Sequence, residues 1–142
     1  MSFQIRLFER SDEPSVIALW RACDLTRAWN DPARDIARKL RVQPELFLLS
    51  LSDRQIIGSI MAGYDGHRGW INYLAVAPEH RRRGVARALM DEAELRLRAL
   101  DCPKINLQVR PENAAAIRFY ARLGYAEEPR IDFGKRLIDE IS

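Results

Sequence analysis

The chain has 142 residues, 47% of them hydrophobic, and 23 Lys plus Arg against 20 Asp plus Glu give a net charge of +3. That length suits a single domain over 1–142, and the composition excludes a disordered, collagenous or low-complexity chain. With no apolar run near the ~20 residues that span a bilayer, no signal-peptide core and only a small charge excess, membrane and nucleic-acid partners are disfavoured and the cytoplasm is the expected compartment.

Of the 23 basic residues, 20 are Arg, whose planar fork suits phosphate and carboxylate. Cys23 and Cys102 lack CxxC spacing and have only His67 and His80 to join them. They read as buried thiols, and no metal site is expected.

Phe3 to Phe8 sets Phe3, Ile5 and Leu7 on one face, the period of a half-buried strand. Ser11-Asp12-Glu13-Pro14 opens a helix, with a capping side chain and Pro in the first turn, followed by Val16, Ile17, Leu19, Trp20 and Cys23 at helical spacing. Trp20 lies on the apolar face and reads as core. Asp31-Pro32 opens a second, shorter helix through about Leu40. Leu46 to Leu51 reads as a central strand, a turn at Ser52-Asp53-Arg54-Gln55 leads to a strand over Ile56 to Tyr64, and Asp65 to Gly69 leads to a third over Trp70 to Val76. The longest helix follows, Val85 to Leu100, then a strand over Ile105 to Val109 and a helix from Asn113 that stops at Gly124. Two further strands, around Tyr125 and over Ile131 to Leu137, complete the order β-α-α-β-β-β-α-β-α-β-β.

The stretch that carries chemistry is Leu74-Ala75-Val76-Ala77-Pro78-Glu79-His80-Arg81-Arg82-Arg83-Gly84-Val85-Ala86, which joins a buried strand to the long helix. A helix start has unpaired N–H groups and partial positive charge, and Gly84 with the small Ala86 lets phosphate approach the backbone while the arginines add charge. It matches neither a Walker A loop nor the G-x-G-x-x-G fingerprint. R-x-x-G-x-A between these elements resembles the coenzyme A site of the GCN5-related N-acetyltransferases (GNAT), and Asn113, Tyr120, Leu123, Gly124 and Tyr125 stand in the arrangement of that family's next motif. Trp29-Asn30-Asp31-Pro32 and the run Gly63 to Gly69 further resemble a bacterial subgroup labelled YpeA, whose acceptor is undefined.

The resemblance implies an α/β acyl-CoA N-acyltransferase fold, a twisted, mixed and mainly antiparallel sheet flanked by helices, with a cleft where the Trp70 to Val76 and Ile105 to Val109 strands separate. It implies acetyl transfer from acetyl-CoA to a primary amine by direct attack, without metal or covalent intermediate. A distortion near Leu74, Ala75 and Val76 would free N–H groups for the thioester and pantetheine. The N–H groups of Arg82, Arg83, Gly84, Val85, Ala86 and Arg87, with Arg81 nearby, would hold the pyrophosphate, Asn113 would bond the pantetheine arm, and Tyr120 would protonate the departing thiolate.

Some relatives carry a Glu base five residues ahead of the Asn, where this chain has Gln108, which takes no proton. Asp65, His67 and Glu79 are the substitutes to consider, and Trp29 and Asn30 either line the acceptor pocket or pack in the core. Gln108 also motivates the rival reading, a non-catalytic acyl-CoA-binding module of the same fold. A small basic nucleic-acid-binding domain leaves the Asn113 and Tyr120 spacing unexplained. A homodimer would pair through a C-terminal strand edge.

Overall fold

The structure is a computed structural model that describes residues 2–140. Its elements in order are β1 (Gln4–Leu7), α1 (Glu13–Ala22), α2 (Pro32–Lys39), β2 (Phe47–Ser52), β3 (Gln55–Tyr64), β4 (Gly69–Val76), α3 (Val85–Ala99), β5 (Ile105–Asn106) and α4 (Ala114–Arg122). The strands lie in chain order in one sheet, antiparallel except for β4 and β5, which α3 connects in parallel. Asp53 and Arg54, at φ of +49° and +67°, make the two-residue turn whose twist matches the β2–β3 hairpin.

The mostly apolar run of β2 is explained by cover on both faces. Leu46 and Leu48 pack with Leu89, Met90, Ala93 and Leu97 of α3, whereas Phe47, Leu49 and Leu51 pack with Val16, Leu19 and Trp20 of α1 and Ile36 of α2. Phe119 and Tyr120 of α4, and Leu123 just after it, rest against the α3 side. Trp20 is fully buried, as its place on the helix predicts, and its ring stacks on Tyr73 with centroids 3.7 Å apart. Among the described residues no helix is long and apolar enough to cross a membrane.

Four expectations are corrected. The helix start at Ser11-Asp12 carries no side-chain cap on α1; Asp12 instead accepts both terminal nitrogens of Arg6, at 2.7 and 3.0 Å, and the Glu9 N–H at 2.8 Å, which clamps β1 to the turn before α1. The strand expected over Ile105 to Val109 is paired only at Ile105 and Asn106. Neither Tyr125 nor Ile131 to Leu137 forms a strand. Tyr125 folds back, its N–H bonded to the Tyr120 carbonyl and its hydroxyl to Glu94, and Ile131, Phe133 and Leu137 are at least 84% exposed. Alternation makes a strand only where a sheet edge accepts it; here the tail is drawn instead to the start of α2, where Glu140 accepts the Asp31 N–H and pairs with Arg38. Cys23 and Cys102, expected as buried thiols, are free and only partly buried, each packed at the margin of a core cluster just past a helix end.

Asp12→Asn is expected to lower the thermal midpoint at pH 7. Hydrogen bonds from Arg6 hold the Asp12 carboxyl below its ordinary value. Its stabilisation is therefore complete above the unfolded value of about 3.9 and is lost as pH falls through the lower folded value. Thermal unfolding of both proteins from pH 7 downward checks this: the gap should close in acid, and a gap independent of pH would assign it to packing rather than charge.

Candidate functional site

Along the middle of the sheet Ser59 pairs with Ala75 and Met61 with Asn72, so Tyr73 and Leu74 oppose the single residue Ile60. This two-against-one count is a β-bulge, which interrupts the ladder and increases the local twist. Tyr73 takes a left-handed φ of +52° within it, a conformation that costs a residue with a Cβ about 1–2 kcal/mol. On the other side of β4, pairing with β5 ends after Trp70 and Asn106. The two strands then diverge around a cleft of 920 Å³ whose walls include Tyr73, Leu74, Leu107, Gln108, Asn113 and Tyr120. The distortion and the cleft expected from the sequence are thus both present, with the distortion beginning one residue earlier, at Tyr73.

At the end of β4 a 3-10 turn, Pro78–His80, leads through Arg82 and Gly84, at φ of +64° and +81°, into α3. Gly84, the N-cap of this helix, has no side chain to cap it, and the first bond runs from the Ala88 N–H to the Gly84 carbonyl at 3.0 Å, so the N–H groups of Val85, Ala86 and Arg87 have no partner within it. A Cβ on Gly84 would meet nothing within 4 Å, so the backbone lies open to a ligand and the glycine serves its φ. Arg82 and Arg87 are exposed around it, as is Arg83. Arg81 is engaged differently, for its Nε donates to the Val76 carbonyl at 3.1 Å and ties the loop to the strand end. Ala75, Val76 and Val85 are buried by their side chains and leave only backbone groups for a ligand.

Asn113 caps α4, its Oδ1 accepting the Ala116 N–H at 3.1 Å, and its Nδ2 donates to none of the described residues. Tyr120 also lines the cleft. Its ring meets Phe119 and Tyr125 edge-on, and its hydroxyl has no hydrogen-bond partner among the described residues. Burial pushes the Tyr120 phenol up to about 12, which keeps it a donor through the neutral range.

The end of the cleft beyond the bulge is polar. The Tyr73 hydroxyl donates to Asp35 Oδ2 at 2.6 Å, and the Asn30 amide donates both to the Tyr73 hydroxyl, at 3.1 Å, and to Asp35. Burial first, then the Asp35 carboxylate, raises the Tyr73 phenol. Lys39, whose ammonium donates to the Ala62 carbonyl, is held below its ordinary value by burial.

The substitutes considered for the base lie elsewhere. Asp65 is spent on its own turn, accepting the N–H groups of His67 and Arg68 and the Trp70 indole, and neither His67 nor Glu79 lines the cleft. Asn30 lines it; Trp29 does not and is 45% exposed. The residues missed from the sequence are Tyr73, Ser59 and Asp35. Tyr73 reads there as one more strand aromatic, because no local signal marks a bulge.

The family model described as "Acetyltransferase (GNAT) family" matches residues 13–125. An acetyltransferase of Yersinia pestis (strain Pestoides F) is 50% identical over 135 residues, which are 95% of this chain and 96% of that protein. The solved structure of Ard1 from Thermoplasma volcanium superposes with a TM-score of 0.76 at 29% identity, covering 89% of this chain and 84% of that one. The PaiA N-acetyltransferase from Thermoplasma acidophilum, solved in complex with coenzyme A, has a TM-score of 0.74 at 21% identity, covering 92% and 94%; at that identity the likeness is one of fold.

Proposed function

The chain belongs to the acetyltransferase (GNAT) family of acetyl-CoA-dependent N-acetyltransferases, and on that footing we propose that it transfers acetyl directly from acetyl-CoA to a primary amine. The observation that carries the reading is the divergence of β4 and β5 beside the bulge. Trans peptides whose N–H groups lose their ladder partners are donors ready for a thioester and its amide arm. The open start of α3 supports a pyrophosphate at the same end of β4.

In the proposed reaction the neutral amine nitrogen attacks the thioester carbon, the C–N bond forms, the C–S bond breaks, and the nitrogen gives up a proton as sulfur gains one. The Leu74 N–H meets the carbonyl oxygen as it gains charge. The side chain assigned to the sulfur is Tyr120. Full proton transfer from a phenol near 12 to a thiolate whose acid is near 8.5 is uphill by about 3.5 units, roughly 5 kcal/mol. Tyr120 therefore acts chiefly by donating a hydrogen bond as charge builds on sulfur, transfer being completed as the amine proton leaves. No side chain base is assigned. Asp35, beside the bulge, holds the Tyr73 hydroxyl and pairs with Arg38 at 3.5 Å, and the amine loses its proton to water before it attacks. The Asn113 Nδ2 is assigned to the pantetheine arm.

Saturating acetyl-CoA, at about 100 times its dissociation constant, is expected to stabilise the fold by about 2.7 kcal/mol, a midpoint rise of roughly 5–10 °C for a domain of this size. Amines are then screened by thiol release, beginning with peptide α-amines and polyamines. Absence of a shift at low salt would overturn the donor assignment; a shift without thiol release across the amines would favour the non-catalytic binding module.

A further inference from the structure

Tyr73 holds a left-handed φ in mid-strand, and such a residue persists only where its surroundings over-determine it. Three contacts do so. Its ring lies on Trp20, its hydroxyl is bonded to Asp35 and Asn30, and its carbonyl accepts the Ser59 hydroxyl at 2.8 Å. The last contact has a fixed direction. The Trp20 indole nitrogen, which can only donate, donates to Ser59 Oγ at 2.9 Å, so the proton of Ser59 goes to the Tyr73 carbonyl, which can only accept. Ser59 and Trp20 are both fully buried, so water has no access with which to replace either bond.

The Tyr73 carbonyl and the Leu74 N–H belong to one planar trans peptide and point in opposite directions. Pinning the carbonyl on Ser59, in β3, therefore turns the Leu74 N–H away from β3 toward the edge of β4 that β5 has left open. We infer that Ser59, oriented by Trp20, is a positioning residue that aims the Leu74 N–H at the thioester oxygen. The inference rests on the reading of the cleft as the acetyl-CoA site and assigns what holds its donor in place. It also explains why a core helix, α1, sends an indole N–H into the sheet at this one residue: the strained peptide is held from β3.

The test is the infrared carbonyl band of bound acetyl-CoA labelled with 13C at the thioester carbon, because a hydrogen bond to that oxygen lowers its frequency. Wild-type protein should shift the band below its value in free acetyl-CoA. Ser59→Ala should lose at least about half of that shift while its affinity for coenzyme A, which has no acetyl group, stays within about threefold. Trp20→Phe leaves a smaller aromatic ring against Tyr73, removes the indole N–H and so frees the Ser59 hydroxyl to rotate, and should lose part of the shift; it carries the test if Ser59→Ala does not fold. Tyr73→Phe, which keeps the carbonyl and loses only the hydroxyl, should retain most of it. A full wild-type shift in folded Ser59→Ala or, failing that variant, in Trp20→Phe overturns the inference and leaves the acetyl-CoA site intact. A wild-type protein that binds no acetyl-CoA, or binds it with an unshifted band, overturns the underlying reading as well.

Discussion

Gly84→Asp is expected to weaken acetyl-CoA binding by about 100-fold or more, equivalent to roughly 2.7 kcal/mol. The φ of +81° belongs to the left-handed region, which aspartate enters more readily than most residues, so the loop keeps its course. The added carboxylate then stands at the start of α3, where a Cβ has open space and where the N–H groups of Val85, Ala86 and Arg87 await a partner. It competes for those donors and repels a pyrophosphate through little intervening protein. Gly84→Ala separates the two effects: it introduces strain of about 1 kcal/mol without charge and should bind only modestly more weakly. Calorimetric titration of both variants, beside their thermal midpoints without ligand, checks this. Binding by Gly84→Asp within about threefold of wild type would remove the pyrophosphate from the start of α3.

Tyr120→Phe should turn over about 100- to 10,000-fold more slowly with an amine that supports turnover, while binding acetyl-CoA as wild type does. The substitution keeps the ring, whose edge contacts to Phe119 and Tyr125 hold α4 to the chain that follows it, and removes only the hydroxyl. The pH dependence has a definite sign. With the phenol pushed up to about 12, the hydroxyl is protonated throughout pH 6–10. Wild-type kcat should therefore show no falling limb from this group in that window; activity that needs its proton declines only as pH rises through about 12. Unchanged turnover in Tyr120→Phe would return the side chain to a packing role, and a falling limb near 10 in wild type, absent from the variant, would mean that burial does not act on the phenol as described.

The order of elements through α4 was legible because each segment carries its own period: three and four in α3, two in β1, and an almost wholly apolar run in β2 whose two faces are both covered. The open start of α3 was legible for a similar reason. A glycine at a strand-to-helix junction reports a local φ, and the spacing from Asn113 to Tyr120 reports a helix whose cap and aromatic both reach the cleft. Two side chains of the same stretch have partners that only the fold supplies. Arg81 braces the end of β4, and Val85 spends its side chain on the core, facts that depend on what each side chain meets and not on its neighbours in sequence.

The C-terminal segment marks the limit of periodicity. Ile131, Phe133 and Leu137 alternate as a strand would, yet the segment has no ladder partner, and Glu140 is held by Asp31 and Arg38, more than 100 residues earlier. The carboxylates show the same limit. Asp65 and His67 look available in a glycine-flanked loop, but Asp65 is consumed by its own turn, while Asp35, an unremarkable helix residue, faces the cleft through Tyr73.

Local periods and backbone-demanding residues were enough to establish the order of elements through α4, the two motif-bearing helices and the glycine before α3, since these express the chain's conformational preferences within a few residues; the fold class followed from the resemblance that those motifs carry. The bulge at Tyr73, its brace by Ser59 and Trp20, and the carboxylate beside it were decided only in three dimensions. They arise where β3, β4, α1 and α2 meet, and hydrogen bonds between residues 14 to 43 positions apart leave no periodic trace in the chain.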